Sequence, residues 1–180
     1  FIPSPYLSGH LDKFLNGKFV PSFETARGCP FFCSFCDQGL DETKIVSFST
    51  KRMCEELDYV AERVTKINGT QSIAFHDSNW GMYKKDLVWS DHLLKLINEK
   101  NWPMHIEIST PKNKKQQIFD IGKKLKNRIQ INLSQQSMNR DTLKLIRRDN
   151  IETNEKYIEF VKEIQQRDKN ATCELIIPLP

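Results

Sequence analysis

The chain lacks any run of about 18 unbroken apolar residues, so no membrane-spanning helix is expected. It also lacks a charged-then-apolar leader, so nothing marks it for secretion. No dense basic patch interleaved with aromatics is present. The formal charge is only +4, and the basic residues Lys112, Lys114, Lys115 and then Lys123, Lys124, Lys126, Arg128 read as solvated helix faces. No nucleic-acid partner is expected. A disulfide framework is equally foreign to it: the cysteines number five, an odd count, and three of them fall within eight residues. That clustering argues for a metal site in a reducing compartment, which points to the cytoplasm. Cys54 and Cys173 fall in a helical stretch and at a strand edge, and read as small buried apolar residues.

A length of 180 residues suits one sizeable core. The chain begins at Phe1 and ends in the apolar run Leu175 to Pro180, and both ends read as cuts in a longer protein. Residues 1–20 carry Pro3, Pro5, Gly9 and Gly17 with little periodicity, and read as a linker or N-terminal extension lying on a core that fills residues 21–180. A first strand falls within Phe19 to Ala26. Met53, Leu57, Val60, Val64 and Ile67 recur at steps of three and four and predict a helix capped by Ser49 or Thr50 and stopped at Gly69. A strand at Ser72 to His76 and a helix at Asp86 to Lys100 follow, the helix burying Trp89, Leu93, Leu94 and Ile97. The pattern then gives a strand at Met104 to Ser109, a helix at Lys115 to Leu125, and a strand at Arg128 to Leu133. Helices at Thr142 to Ile146 and Asn154 to Gln166 come next, the latter using Ile158, Val161 and Ile164, and a last strand runs from Glu174 to Ile177. Strand and helix alternate four times before the fifth strand. That order predicts an α/β fold with a parallel sheet curling toward a barrel, its chemistry carried by the loops after the strands.

The chemistry-bearing segment is Cys29-Pro30-Phe31-Phe32-Cys33-Ser34-Phe35-Cys36, spaced C-x3-C-x2-C. Three thiolates on one short loop can each take one iron of a cubane cluster, which leaves the fourth iron open to an external ligand. Gly28 lets the backbone turn into the loop. Phe31, Phe32 and Phe35 are suited to keeping the site dry, and a buried, sparsely hydrogen-bonded cluster is expected. The rival is a structural zinc site, which usually takes four ligands in two pairs; here Cys33 and Cys36 form a single CxxC with no second pair. Three unrelated cysteines are the remaining alternative.

With its aromatic Phe35 before the last cysteine, this loop resembles the signature of the radical S-adenosylmethionine (SAM) superfamily. Glu24 to Phe31 and the leading segment Pro3 to Asp12 resemble its cobalamin-binding branch, in which such a segment joins an upstream cobalamin domain to the barrel. The resemblance implies a partial (β/α) barrel, here truncated after the fifth strand, against the family's six units. It implies a 4Fe–4S cluster on Cys29, Cys33 and Cys36, with SAM chelating the open iron. One electron then cleaves SAM to a 5′-deoxyadenosyl radical that abstracts hydrogen from a small-molecule or peptide substrate. A protein electron donor such as flavodoxin or ferredoxin is implied, and the cobalamin branch implies either methyl transfer or rearrangement of a carbon skeleton. Residue by residue, His76 to Gly81 stands where many members place Gly-Gly-Glu, which makes Asp77 and Asn79 candidates at the SAM amino group. Glu107 matches the glutamate near the methionine end. Ser134, Gln136 and Arg148 resemble the later Gln-Ser and arginine pattern, with Gln136 at the ribose and Arg148 at the carboxylate. Glu174 and Ile176 match the fifth-strand motif at the ribose hydroxyls and adenine, although Pro178 stands where the family usually has Gly.

Overall fold

The computed structural model describes residues 2–39, 44–148, 153–167 and 173–179. In chain order its elements are β1 (Ser22–Phe23), β2 (Ala26–Arg27), β3 (Val46–Ser47), α1 (Thr50–Lys66), β4 (Ser72–Phe75), α2 (Lys84–Lys100), β5 (His105–Ile108) and α3 (Lys115–Lys124). They continue with β6 (Ile129–Gln130), β7 (Leu133–Gln136), α4 (Arg140–Leu145), α5 (Asn154–Arg167) and β8 (Cys173–Leu175). β1, β4, β5 and β6 pair in that order, all parallel, and β7 pairs β8 in parallel. The antiparallel pair β2–β3 brackets the cysteine loop.

The register puts Ser22, Ala74, Glu107 and Gln130 in one row across the sheet. Side chains alternate along a strand, so Ile73, Phe75, Ile106 and Ile108 take the opposite face and join the core beneath the helices. That core contains Leu57 and Val60 of α1, Trp89 and Leu93 of α2, and Ile118 and Phe119 of α3, all essentially inaccessible to solvent. Truncating one of these leucines to alanine removes about 2–5 kcal/mol. The face left over, with Glu107 and Gln130, is the concave interior.

Several elements depart from the pattern read in the sequence. The first strand stops at Phe23 because the next amides turn away: Thr25 and Ala26 donate to the Asp77 carboxylate instead of a ladder. The expected strand at 128–133 is broken at Ile131 and Asn132, and resumes as β7, which reaches Gln136; the Asn132 amide donates to Thr110 Oγ1 at 3.1 Å. Ser49 does cap α1, accepting from the Arg52 amide at 3.3 Å. The stop is Asn68 rather than Gly69, since Asn68 takes the left-handed conformation at φ 49°. Ile67, past the last turn, is exposed, and so is Ile158. In α5 the inward side is Tyr157, Phe160 and Ile164, because Phe160 stacks on Phe119 with ring centroids 4.9 Å apart. Cys54 packs half-buried against the core, whereas Cys173 is exposed on β8.

Residues 2–20 are tied to the barrel at several points. The Tyr6 hydroxyl donates to the Ser22 carbonyl at 2.9 Å and accepts from the Ser22 amide at 3.0 Å, while its ring packs on Phe23. Arg52 donates to the carbonyls of Ile2 and Pro3, and Asp12 accepts from Tyr59 and pairs with Arg63. No helix among the described residues is long and apolar enough to cross a membrane.

Candidate metal centre and cofactor cavity

The cysteine loop leaves β2 through Gly28 at φ +95°, where an added Cβ would stand 3.0 Å from the Lys44 carbonyl. Only glycine enters this turn without strain. The loop is pinned at its middle by the Ser34 amide, which donates to the Ile146 carbonyl at the end of α4 at 3.1 Å. Inside it the Cys36 amide donates to the Cys33 carbonyl at 3.0 Å. Cys33 is buried; Cys29 and Cys36 are half-buried. All three line one cavity of about 320 Å³, together with Ser134 and Gln136 of β7 and with Asn79, Ser109, Lys112 and Arg148 from the segments that follow β4, β5 and β7. The cavity therefore sits at the C-terminal edge of the strands, where β/α barrels carry their chemistry.

Among the described residues no three His, Cys, Asp or Glu side chains converge closely enough to hold a single ion. This weighs against the zinc alternative, whose thiolates would all stand about 2.3 Å from one centre. A cubane offers its irons at separate corners, so its thiolates stand further apart around one shared space. Three cysteines around one cavity, one corner of which faces polar groups from other strands, fit that group.

The site is far from sparsely hydrogen-bonded, contrary to expectation. Asn79 Nδ2 donates to Cys29 Sγ at 3.3 Å. Lys112 Nζ and Arg148 Nη1 each approach Cys33 Sγ to 3.8 Å. Lys112 was grouped by sequence with solvated lysines, but it is 4% exposed, and Lys115 is buried too. The Lys112 ammonium also donates to the Arg147 carbonyl at 3.1 Å and lies 4.5 Å from the centre of the Phe31 ring. No sequence pattern marked it; the fold brings it in from the segment after β5. Phe32 and Phe35 are partly exposed, so the loop aromatics shield the site less than expected, although Phe31 and Phe35 do line the cavity.

The other expected contacts divide into three groups. Ser134, Gln136 and Arg148 line the cavity with the cysteines. Arg148 donates to the Ser134 carbonyl at 2.6 Å, while its Nε and the Gln136 Oε1 are buried with no partner among the described residues. Gln136 also holds a left-handed backbone at φ 70°. Glu174 joins this group at one remove by accepting from the Ser134 hydroxyl, and Ile176, half-buried, donates its amide to the Gln136 carbonyl at 3.0 Å. Asp77 stands apart: both its oxygens are engaged with Thr25 and Ala26, so it braces the entry to the cysteine loop. Burial raises its pKa, and those hydrogen bonds only partly oppose the shift. Glu107 is not brought to the cysteines. It lies exposed on the interior face, lining a separate cavity of about 390 Å³ with His105, Arg128 and Gln130. Asp149, Asn150 and Ile151, which follow Arg148, lie outside the described residues.

Asn79 is aimed by the loop that follows β4. Asp86, at the start of α2, accepts from the amides of Gly81 and Tyr83, both at 2.8 Å. Gln117 and Lys114 donate to the carbonyls of Gly81 and Met82 from the α3 side. Desolvation pushes the Asp86 carboxyl up to about 6 and the Tyr83 phenol up to about 12, the nearby Cys29 adding to the latter.

A model of the radical SAM superfamily matches residues 23–180, and the chain belongs to that family. The family's cofactors are a 4Fe–4S cluster and SAM. The chain is 29% identical over 192 residues to the cobalamin-dependent radical SAM methyltransferase TokK of Streptomyces tokunonensis, covering 99% of this chain and 27% of that protein. It is 30% identical to the 2-(S-pantetheinyl)-carbapenam-3-carboxylate methyltransferase of Streptantibioticus cattleyicolor, with the same coverage. It thus spans about a quarter of the length of these relatives. Among solved structures it resembles the cobalamin-dependent radical SAM enzyme OxsB with aqua-cobalamin and SAM bound, at a TM-score of 0.60 and 15% identity, over 96% of this chain and 25% of that one. That likeness carries the fold.

Proposed function

We propose that this chain is the radical-generating core of a cobalamin-dependent radical SAM enzyme, with Cys29, Cys33 and Cys36 as the three protein ligands of its 4Fe–4S cluster. The observation that carries the reading is the shared cavity, in which those cysteines meet Ser134, Gln136 and Arg148 at the strand ends. When bound, the cluster supplies the single electron that cleaves SAM, and cobalamin supplies a transferable methyl group. The chain's own residues hold and orient. The Arg148 guanidinium suits the SAM carboxylate, Gln136, which lines the same cavity, suits its amino or hydroxyl groups, and Glu174, joined to Ser134, is the candidate for the ribose hydroxyls. Ile176 is the apolar candidate at the adenine, and Phe35, which lines the cavity with the cysteines, would border the cluster. Asp77 and Glu107 are not assigned a contact.

Methyl transfer rests on two curated methyltransferases that align along 99% of the chain, and cobalamin use on the one named as cobalamin-dependent, TokK. The segment 2–20, fixed on β1 and α1, provides a rigid attachment for a cobalamin-carrying unit. A flavodoxin- or ferredoxin-type protein is the proposed electron donor, in a reducing compartment where thiolates stay free. The test is anaerobic reconstitution of the full-length protein. A brown protein with about four irons per chain is expected, forming 5′-deoxyadenosine or S-adenosylhomocysteine from SAM with reductant and cobalamin. A colourless protein with one zinc and intact SAM refutes the reading, as does a triple Cys-to-Ala variant that keeps its iron.

A further inference from the structure

The charge around the cysteine loop is uneven. Cys33 faces two cations, Lys112 and Arg148, each 3.8 Å from its sulfur. Cys29 accepts from a neutral donor, Asn79, at 3.3 Å. Among the described residues no side chain donates to Cys36. Arg148 has a second task available at the SAM carboxylate, and its Nη2 is already spent on the Ser134 carbonyl. Lys112 is placed differently. It is 4% exposed, and the Arg147 carbonyl and the Phe31 ring also hold its ammonium where it meets Cys33.

We propose that Lys112 is a positioning residue that raises the reduction potential of the cluster, through its charge on the Cys33 thiolate, with Asn79 acting in the same sense at Cys29. The inference rests on the assignment of these cysteines as cluster ligands. The physical ground is direct. The oxidised cluster takes one electron from the external donor and becomes more negative by one charge, so a fixed positive charge beside a ligand sulfur favours the reduced form. Hydrogen bonds to the sulfurs and local charge are known levers on such potentials, and a buried position is screened little by salt. The consequence is a cluster that a mild protein donor can reduce before SAM arrives.

The experiment measures the midpoint potential of the full-length, reconstituted protein by EPR-monitored redox titration without SAM, in wild type and in Lys112→Met, Lys112→Gln, Lys112→Arg and Asn79→Leu. Removing the charge is expected to lower the equilibrium constant for one-electron reduction at least tenfold, a shift of about 59 mV to the negative. Lys112→Arg keeps the potential within a third of that shift, and Asn79→Leu moves it in the same direction by less. The proposal is overturned if Lys112→Met and Lys112→Gln hold four irons at the wild-type potential. It is overturned as well if both neutral variants lose the cluster while Lys112→Arg retains it, because the charge then serves assembly. A wild-type protein that binds no cluster removes the cysteine assignment itself, and the inference falls with it.

Discussion

Replacing Asp77 separates bracing from ligand contact. The carboxylate accepts the Thr25 amide at 2.9 Å, the Thr25 hydroxyl at 2.6 Å, and the Ala26 amide. Thr25 and Ala26 are buried, so water cannot take over the released donors. In Asp77→Ala three donors lose their acceptor, at about 1–3 kcal/mol each. Part of this returns, because the buried carboxylate is itself costly: desolvation raises its pKa in spite of the three bonds. A net loss of about 3–5 kcal/mol follows, which lowers the melting temperature by roughly 6–20 °C for a core of this size. Asp77→Asn keeps one oxygen, able to serve two of the three donors, and turns its amide NH2, itself a donor, toward the third; about half that loss is expected. The assay is thermal unfolding of both variants in the full-length protein, with iron content and SAM affinity measured on the cluster-loaded fraction. Stability and iron retention should fall in the order wild type, Asn, Ala, while SAM affinity of loaded protein stays within about threefold. An alanine variant as stable as wild type that has lost SAM binding would refute the bracing role and return Asp77 to the ligand.

Gly81→Ala puts a Cβ 2.0 Å from Ile118 Cδ1 at φ +90°, and should cost about 2–4 kcal/mol from overpacking and backbone strain together; adding Ile118→Val should recover the packing part alone, seen as partial restoration of the urea midpoint. Asp86 has its folded pKa raised from 3.8 to about 6, so between those values the folded state holds a proton that the unfolded state has lost, and stability falls as pH rises through the window. Urea unfolding of cluster-free protein at pH 4.5 and 7 should show about 2 kcal/mol of this loss, out of roughly 3 kcal/mol for the whole shift, and Asp86→Asn should remove it apart from the same-sign share of Asp77. Tyr6→Phe deletes both hydrogen bonds to Ser22 and should cost about 1–2 kcal/mol, read locally as faster hydrogen exchange at the Ser22 amide.

The β/α alternation was readable because it depends on burial periodicity. Met53, Leu57, Val60 and Val64 declare one face of α1, and the structure buries that face. The cysteine loop was readable because its spacing is local. What escaped depends on contacts distant in sequence. Lys112 looks like its neighbours until the fold sets it beside Cys33, 79 positions away. The break between β6 and β7 follows from a Thr110 hydroxyl capturing the Asn132 amide, which no periodicity announces. Asp77 carries a residue type suited to ligand contact, and only the amides of Thr25 and Ala26, about 50 positions away, show where its oxygens point. Ile158 and Phe160 both satisfy a helical period; the Phe119 ring decides between them.

The buried polar groups near the cysteines sort by whether the chain itself satisfies them, and the division has a chemical meaning. Asp77 and Asp86 find backbone donors and hold two loops, one carrying the cysteines and the other Asn79. Gln136 and Arg148 line the cavity, while Gln136 Oε1 and Arg148 Nε are closed off and unmet among the described residues. A buried polar atom left without a partner costs about 1–3 kcal/mol, and Gln136 adds the strain of a left-handed backbone on a side chain that is not glycine. Under the proposed reading, the two side chains turn into the cavity they already line when SAM binds, its carboxylate accepting from Arg148 and an N–H of its amino group donating to Gln136. The unmet atoms then gain partners that folding alone does not give them among the described residues.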